Sequence, residues 1–226
     1  MGHAPVFDRV GRDQAFGYEC RRCLRCCRHK RIQLNPYEVA RMARNRGIGT
    51  SEFRARHTVD GRGVELSQVE SGDCVFLGPE GCTVHPDRPL VCRLYPLGRF
   101  VNADGEERFG RVKPHPESKG VYHDRGSISD FLDQQDVALF TRAADDYMAW
   151  LTTALNRMHT ATGLSADEML EPLDGDDGLM DLDAVIAAHC VAAGTPEPDD
   201  MEARRRLHIQ ILYDRLPREE GDSHGA

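Results

Sequence analysis

Cys20-Arg21-Arg22-Cys23-Leu24-Arg25-Cys26-Cys27 is the stretch that decides how this chain of 226 residues is read. Four of its eight cysteines fall in that segment with the spacing CxxCxxCC. Cys74, Cys82 and Cys92 follow, and Cys190 stands apart. Thiolates are soft donors suited to zinc and iron. Two cysteines separated by two residues can hold one centre through a tight turn, and a third at the same interval strengthens that reading. A disulfide framework fits poorly, because near-vicinal bonds are strained. A redox dithiol and plain reduced thiols are the weaker rivals.

The spacing also constrains geometry. On one helix, Cys20, Cys23 and Cys27 would share a face, yet Cys20 and Cys27 would stand ~10 Å apart along the axis. Two thiolates on one zinc lie only ~4 Å apart. Either the segment is a loop, or its thiolates serve more than one metal atom. The run is not a ferredoxin loop, which separates its third and fourth cysteines and follows the fourth with proline; here Arg28 follows Cys27. Arg21, Arg22, Arg25 and Arg93 are expected to stabilise the gathered thiolates.

Taken with Asp73-Cys74-Val75-Phe76-Leu77 and Gly81-Cys82-Thr83-Val84-His85-Pro86-Asp87-Arg88-Pro89-Leu90-Val91-Cys92-Arg93-Leu94-Tyr95-Pro96, the pattern resembles the YkgJ-type cysteine-cluster family. Its members are described as zinc- or iron-chelating domains or as iron–sulfur proteins. The resemblance covers about residues 17–115 and implies Cys20, Cys23, Cys26, Cys27, Cys74, Cys82 and Cys92 as the metal ligands or their immediate neighbours. Seven clustered thiolates exceed what one structural zinc uses, so an iron–sulfur cluster such as 4Fe-4S is expected, with zinc as the alternative. A neutral imidazole at His85 could also ligate metal, but this position is often tyrosine in relatives, and His85 reads as a polar loop residue. One branch resembles flagellin lysine N-methylases, but Gly61-Arg62-Gly63 is too short a fragment to serve as a methyl-donor loop. Whether the protein is an enzyme is left open.

Around this motif the chain reads as α+β, mainly α. Asn35 and Pro36 open a helix that Gly47 closes. Ser51 is expected to cap a second, short helix. Val64, Leu66 and Val69 suggest strand pieces. Phe100-Val101 and Phe109 flank Asp104-Gly105 as a small β-hairpin. Residues 1–19 read as a loose lead-in. From Ser129 apolar residues recur at helical spacing through Leu155, with Ser127 or Ser129 as cap. Further helices are expected near 165–171, 181–193 and 200–215. The expected organisation is an irregular metal-organised domain over 17–115 packed on a helical region over 127–216. Cys190, beside Val185 and Ile186, reads as a core cysteine.

Composition bounds the function. Hydrophobic residues make up 40% and charged residues 29%, typical of a globular chain. No apolar run approaches the ~20 residues of a membrane span, and Met1–Arg9 does not resemble a secretory signal. A cytoplasmic protein is therefore expected, where thiols stay reduced. The net charge of −8 and the absence of aromatics among Arg21–Arg31 argue against a nucleic-acid partner. Lys and Arg are absent from Ala161 to Asp200, so the acidic helical region is a candidate surface for a basic protein partner. Three readings follow: a metal- or cluster-binding module with a redox or cluster-handling role, a cluster-dependent protein-modifying enzyme, and a zinc-stabilised adaptor.

Overall fold

Asn35 shows how local chemistry sets the first helix. In the computed structural model, which describes residues 6–102, 104–163 and 179–217, α1 spans Pro36–Arg46. Asn35 Oδ1 accepts from Glu38 N at 3.0 Å, and Glu38 Oε2 accepts from Asn35 N at 3.0 Å. This reciprocal box satisfies backbone donors that a helix start leaves free. Gly47, at φ 68°, donates to Ala43 and Arg44 and ends the helix. α2 follows at Thr50–His57. Its N-cap is Gly49 rather than Ser51. The hydroxyls of Thr50 and Ser51 instead donate to Asp181, each at 2.5 Å. Asp181 is the N-cap of a later helix, so the expected local cap is replaced by a long-range bond.

The remaining elements, in chain order, are β1 (Val6–Val10), β2 (Ala15–Glu19), β3 (Leu77–Gly78), β4 (Gly81–Cys82), α3 (Leu90–Leu94), β5 (Leu97–Val101), β6 (Glu107–Arg111) and β7 (Val121–Ser127). α4 (Ile128–Gln134), α5 (Ala138–Thr162), α6 (Leu182–Ala193) and α7 (Met201–Asp214) follow. Helix accounts for 47% and strand for 19%, so the class is α+β and mainly α. Helices near 181–193 and 200–215 stand where they were expected; 165–171 lies outside the described residues.

Two compact units divide the chain. One takes residues 1–33 and 66–141, the other 34–65 and 142–226. Each is therefore assembled from stretches far apart in sequence, and all seven clustered cysteines fall in the first.

The first unit holds three small antiparallel sheets, ordered β1-β6-β5, β2-β7 and β3-β4. The β5–β6 hairpin matches its expectation, with Phe100 opposite Arg108. From Val6 on the lead-in is not loose: β1 pairs with β6, and β2 pairs with β7 through Tyr18 opposite Tyr122. Val64, Leu66 and Val69 belong to no named strand. A Cβ on Gly17 would come within 1.9 Å of the His123 ring, so only glycine fits that crossing. Phe16 sets its ring edge-on to Phe131, 5.2 Å between centroids.

The helical run expected from Ser129 is interrupted. Ser127 caps α4, the chain then turns through Asp136 at φ 51°, and α5 begins at Ala138. Carbonyls freed at a helix end need partners. Arg93, 3% exposed, supplies them. Its guanidinium donates to Gln135 O at 2.8 Å, to Arg88 O at 3.0 Å and to Pro86 O. Its planar group lies 3.9 Å from the Phe140 ring centroid. One side chain thus ties α3, which carries Cys92, to the α4–α5 break.

In the second unit, α6 packs on α1, α2 and α7. Ala40, Leu182, Val185, Ile186, Cys190 and Ile211 form one apolar cluster. Cys190 is therefore the core cysteine its neighbours suggest. Deeper polar contacts accompany it. Tyr147 and His208 Nδ1 share a hydrogen bond of 2.8 Å, while His208 Nε2 is buried with no hydrogen-bond partner among the described residues. Burial brings His208 down to about 3, with the Arg215 charge adding to the effect.

Two outcomes test this account. Replacing Arg93 by Met leaves buried carbonyls without donors and should destabilise the first unit by about 3 kcal/mol. Lysine, lacking the planar fork, should recover only part of it; urea unfolding followed by circular dichroism reads both. His208 binds its proton more weakly folded than unfolded. Its contribution is thus fully present above about pH 6.5, the ordinary histidine value, and is lost as pH falls toward the folded value. Between about pH 6.5 and 4.5 its share of the slope approaches about 1.4 kcal/mol per pH unit. His208→Gln should remove that share in urea midpoints measured across the range.

Candidate metal centre

Residues 20–27 do not form a regular helix. Arg22 (φ 49°) and Leu24 (φ 63°) adopt left-handed backbone, which non-glycine residues rarely take. They coil the chain around Cys23, and a single 3₁₀ turn over Arg25–Cys27 completes the knot. Of the two sequence alternatives, the segment is the loop.

The second half of the motif is stitched to this loop by backbone bonds. Cys74 N donates to Cys27 O at 2.9 Å, and His29 N donates to Gly72 O at 2.7 Å. Arg28 pairs with Asp73 at 3.3 Å across the same bridge. The β3–β4 ladder sets Leu77 opposite Cys82 and folds Cys82 back toward Cys74. The short α3, held by Arg93, brings in Cys92.

The seven thiols then share one neighbourhood, linked by a chain of electrostatic contacts. Cys27 feels Cys26, Cys82 and Cys92. Cys74 feels Cys82, and Cys23 feels Cys26. Arg88 faces Cys92, Cys82 and Cys20. Cys20 is exposed and the other six are half-buried. Among the described residues no three His, Cys, Asp or Glu side chains converge as a ready ligand set. The arrangement is a gathering of thiols and not a finished coordination shell.

The donor set has the chemistry of a thiolate site. Cys23 Sγ lies beside the N–H of Arg25, Cys74 Sγ beside that of Phe76 and Cys82 Sγ beside that of Val84. Three cysteines thus meet the amide two residues ahead, the turn geometry that stabilises sulfur anions. Burial pushes Cys74 and Cys82 up against these amides. Burial also opposes ionisation of Cys23, but the N–H groups of Lys119 and Arg25 and the Ser118 hydroxyl outweigh it and hold that thiol below its ordinary value. Cys26 and Cys27 sulfurs lie 3.7 Å apart and share a hydrogen bond. The bond from Cys27, with help from Lys30 and Arg88, brings Cys26 down. That contact, burial and the resulting charge push Cys27 up.

The cations are not all those expected. Lys30 and Arg88 act on Cys26. Arg93 bonds carbonyls, Arg21 pairs with Glu19 at 2.7 Å, and Arg25 pairs with Glu117 at 2.8 Å. Lys30 Nζ stands 3.9 Å over the Tyr95 ring centroid, and Arg88 is fixed by His85 O at 2.8 Å and Gln135 Oε1 at 2.8 Å. His85 sits on the rim with its Nδ1 3.3 Å from Arg88. Sequence reasoning missed Lys30 and Arg88 as the cations of the site, together with Tyr18, Tyr95, Glu117 and Ser118. Arg88 and Tyr95 lie in the quoted motif run, so their position was a usable signal. Glu117 and Ser118 carry no pattern.

Among the described residues no helix is long and apolar enough to cross a membrane. No curated protein and no solved structure matches the chain. Residues 19–115, which contain all seven clustered cysteines, match the model of one family. That model is of the CxxCxxCC family, described as a "putative zinc- or iron-chelating domain".

Proposed function

We propose that the chain is an iron–sulfur protein whose cluster is held by thiolates drawn from Cys20, Cys23, Cys26, Cys27, Cys74, Cys82 and Cys92. The observation that carries this reading is the gathering of these seven thiols in one unit, three of them facing the amide two residues ahead. A single structural zinc uses four donors, so the set exceeds one zinc. All eight cysteines are free thiols, as a chelating role requires. When bound, such a cluster supplies one-electron chemistry, which fits a redox or cluster-handling role.

The chain's own residues have separable tasks. Lys30 and Arg88 offset the negative charge that the thiolates accumulate. The Cys27–Cys74 and His29–Gly72 backbone bonds fix the two halves of the motif in register. Arg93 anchors the segment that carries Cys92. Cys20, the exposed thiol, lies at the edge through which a metal or a metal donor would approach. Binding requires the thiols to lose their protons, so affinity should weaken in acid.

Anaerobic purification with iron, zinc and acid-labile sulfide analysis tests the reading. Brown protein with several irons and equivalent sulfide is expected. Colourless protein carrying stoichiometric zinc without sulfide would overturn the cluster and leave a zinc-chelating domain. Cys23→Ser and Cys82→Ser should each lower metal content severalfold, whereas Cys190→Ser should leave it unchanged. Removing the metal should expose residues 20–33 and 66–92 to limited proteolysis before the helices of the second unit.

A further inference from the structure

A cleft of about 540 Å³ lies on the three-stranded sheet of the first unit. Each strand contributes one arginine to its lining: Arg9 on β1, Arg99 on β5 and Arg108 on β6. The ladder sets Phe100 opposite Arg108. Arg9 reaches across to place its guanidinium 5.4 Å from the Phe100 ring centroid. None of the seven clustered cysteines lines this cleft, so its chemistry is separate from that of the thiol site.

The three guanidiniums differ in how firmly they are already held. Arg99 donates to Glu107 at 2.5 Å, and Arg12 donates to the same carboxylate at 2.5 Å. Glu106 accepts from Asn102 Nδ2 at 3.2 Å and pairs with Arg108 at 3.6 Å. That pair is loose and its side chains are about half exposed, 47% and 59%. Pairs of this kind contribute little, so a ligand can replace it. Arg9 is exposed and makes no ion pair among the described residues. Taking Arg12 and Glu107 with the lining, four guanidiniums stand against two carboxylates. The whole chain carries −8, so this local excess runs against the overall charge. Charges farther off than about 8 Å are largely screened at physiological salt, and a ligand in the cleft meets the local sign.

Size and donor geometry narrow the ligand. Small-molecule sites span about 300–1,000 Å³, and this cleft falls within that range. A lone inorganic ion would leave most of it to water. A guanidinium presents a planar fork of donors that meets two carboxylate or phosphate oxygens at once. Two loosely held forks, Arg9 and Arg108, suit a molecule with two anionic groups. Phe100 offers its ring to the carbon skeleton between them. We propose that this cleft binds a small organic anion bearing two or more carboxylate or phosphate groups, held by Arg9 and Arg108 and backed by Phe100. The site stands whether or not the thiols hold a cluster.

Calorimetric titration of the full-length protein with tricarballylate, and separately with fructose 1,6-bisphosphate, tests this and distinguishes a carboxylate ligand from a phosphate one. At least one probe should bind saturably with a dissociation constant below about 1 mM, and more weakly as salt rises. Arg9→Gln and Arg108→Gln should each weaken that binding about tenfold. Glu106→Gln, which removes a carboxylate from the lining, should tighten it severalfold. Arg56→Gln makes the same charge change as the arginine variants, on α2 in the second unit, and should match wild type. All four substitutions fall on exposed side chains, so melting temperatures should stay at the wild-type value. If neither probe saturates, the proposal is overturned. It is overturned equally if Arg56→Gln weakens binding as much as Arg9→Gln and Arg108→Gln do, because the ions are then attracted only by net charge.

Discussion

Crowding of sulfur is the constraint on which the first unit depends. Seven thiols fall in one compact unit, and where they come close each one that ionises raises the cost of ionising the next. The adjacent Cys26 and Cys27 show the effect directly, one thiol drawn down and its neighbour pushed up. A chain can tolerate this only if it supplies opposite charge and aimed donors close by. Lys30 and Arg88 supply the charge. Backbone N–H groups of Arg25, Phe76, Val84 and Lys119 supply the donors. Those amides are free to face sulfur because this backbone is committed neither to helix nor to sheet, and the left-handed residues Arg22 and Leu24 keep it so.

Irregular backbone needs an external frame, and the frame is long-range. The motif halves are some fifty residues apart in the chain but are bonded at Cys27–Cys74 and His29–Gly72. β2 and β7 clamp the approach to Cys20 by pairing residues about a hundred positions apart. Arg93 joins the Cys92 segment to the α4–α5 break with a guanidinium that would be costly to bury without its carbonyls. Cations in this unit therefore divide into two kinds. Lys30 and Arg88 answer the sulfur charge, while Arg93 answers the backbone.

The division explains what was legible in the sequence. Features set by neighbours along the chain could be read: the Asn35–Glu38 start and Gly47 stop of α1, the Asp104-Gly105 hairpin, the Ser127 cap, and the cysteine spacing. Features set by distant partners could not. β1 and β2 carry little alternation of their own and exist because β6 and β7 offer ladders. Ser51 looks like a cap until Asp181, far along the chain, takes its hydroxyl. Arg93 beside Cys92 reads as a thiolate cation, yet the freed carbonyls of the α4 end claim it. Nothing near Lys119 in sequence announces the contact of its amide with Cys23, because that contact is made by a turn returning from β6 toward β7.

The apolar residues indicate how far a metal can be responsible for the fold. The first unit buries Phe16, Phe109, Phe131, Leu132 and Phe140 to within a few per cent of full burial. Burying a phenylalanine or leucine side chain contributes about 1.5–3 kcal/mol each, so this end of the unit has a core of its own. The thiols stand outside that core, half-buried or exposed. Metal binding then acts on a scaffold that is already partly assembled. Its free energy falls on the first unit's loops at residues 20–33 and 66–92, where regular structure is scarcest. Those loops bury Phe76, Val84 and Leu90, and polar contacts stiffen them further. The Lys119 amide on Cys23, the Lys30–Tyr95 stack and the Arg88 bonds share a physical purpose: they limit how far the sulfurs can drift before a metal draws them together.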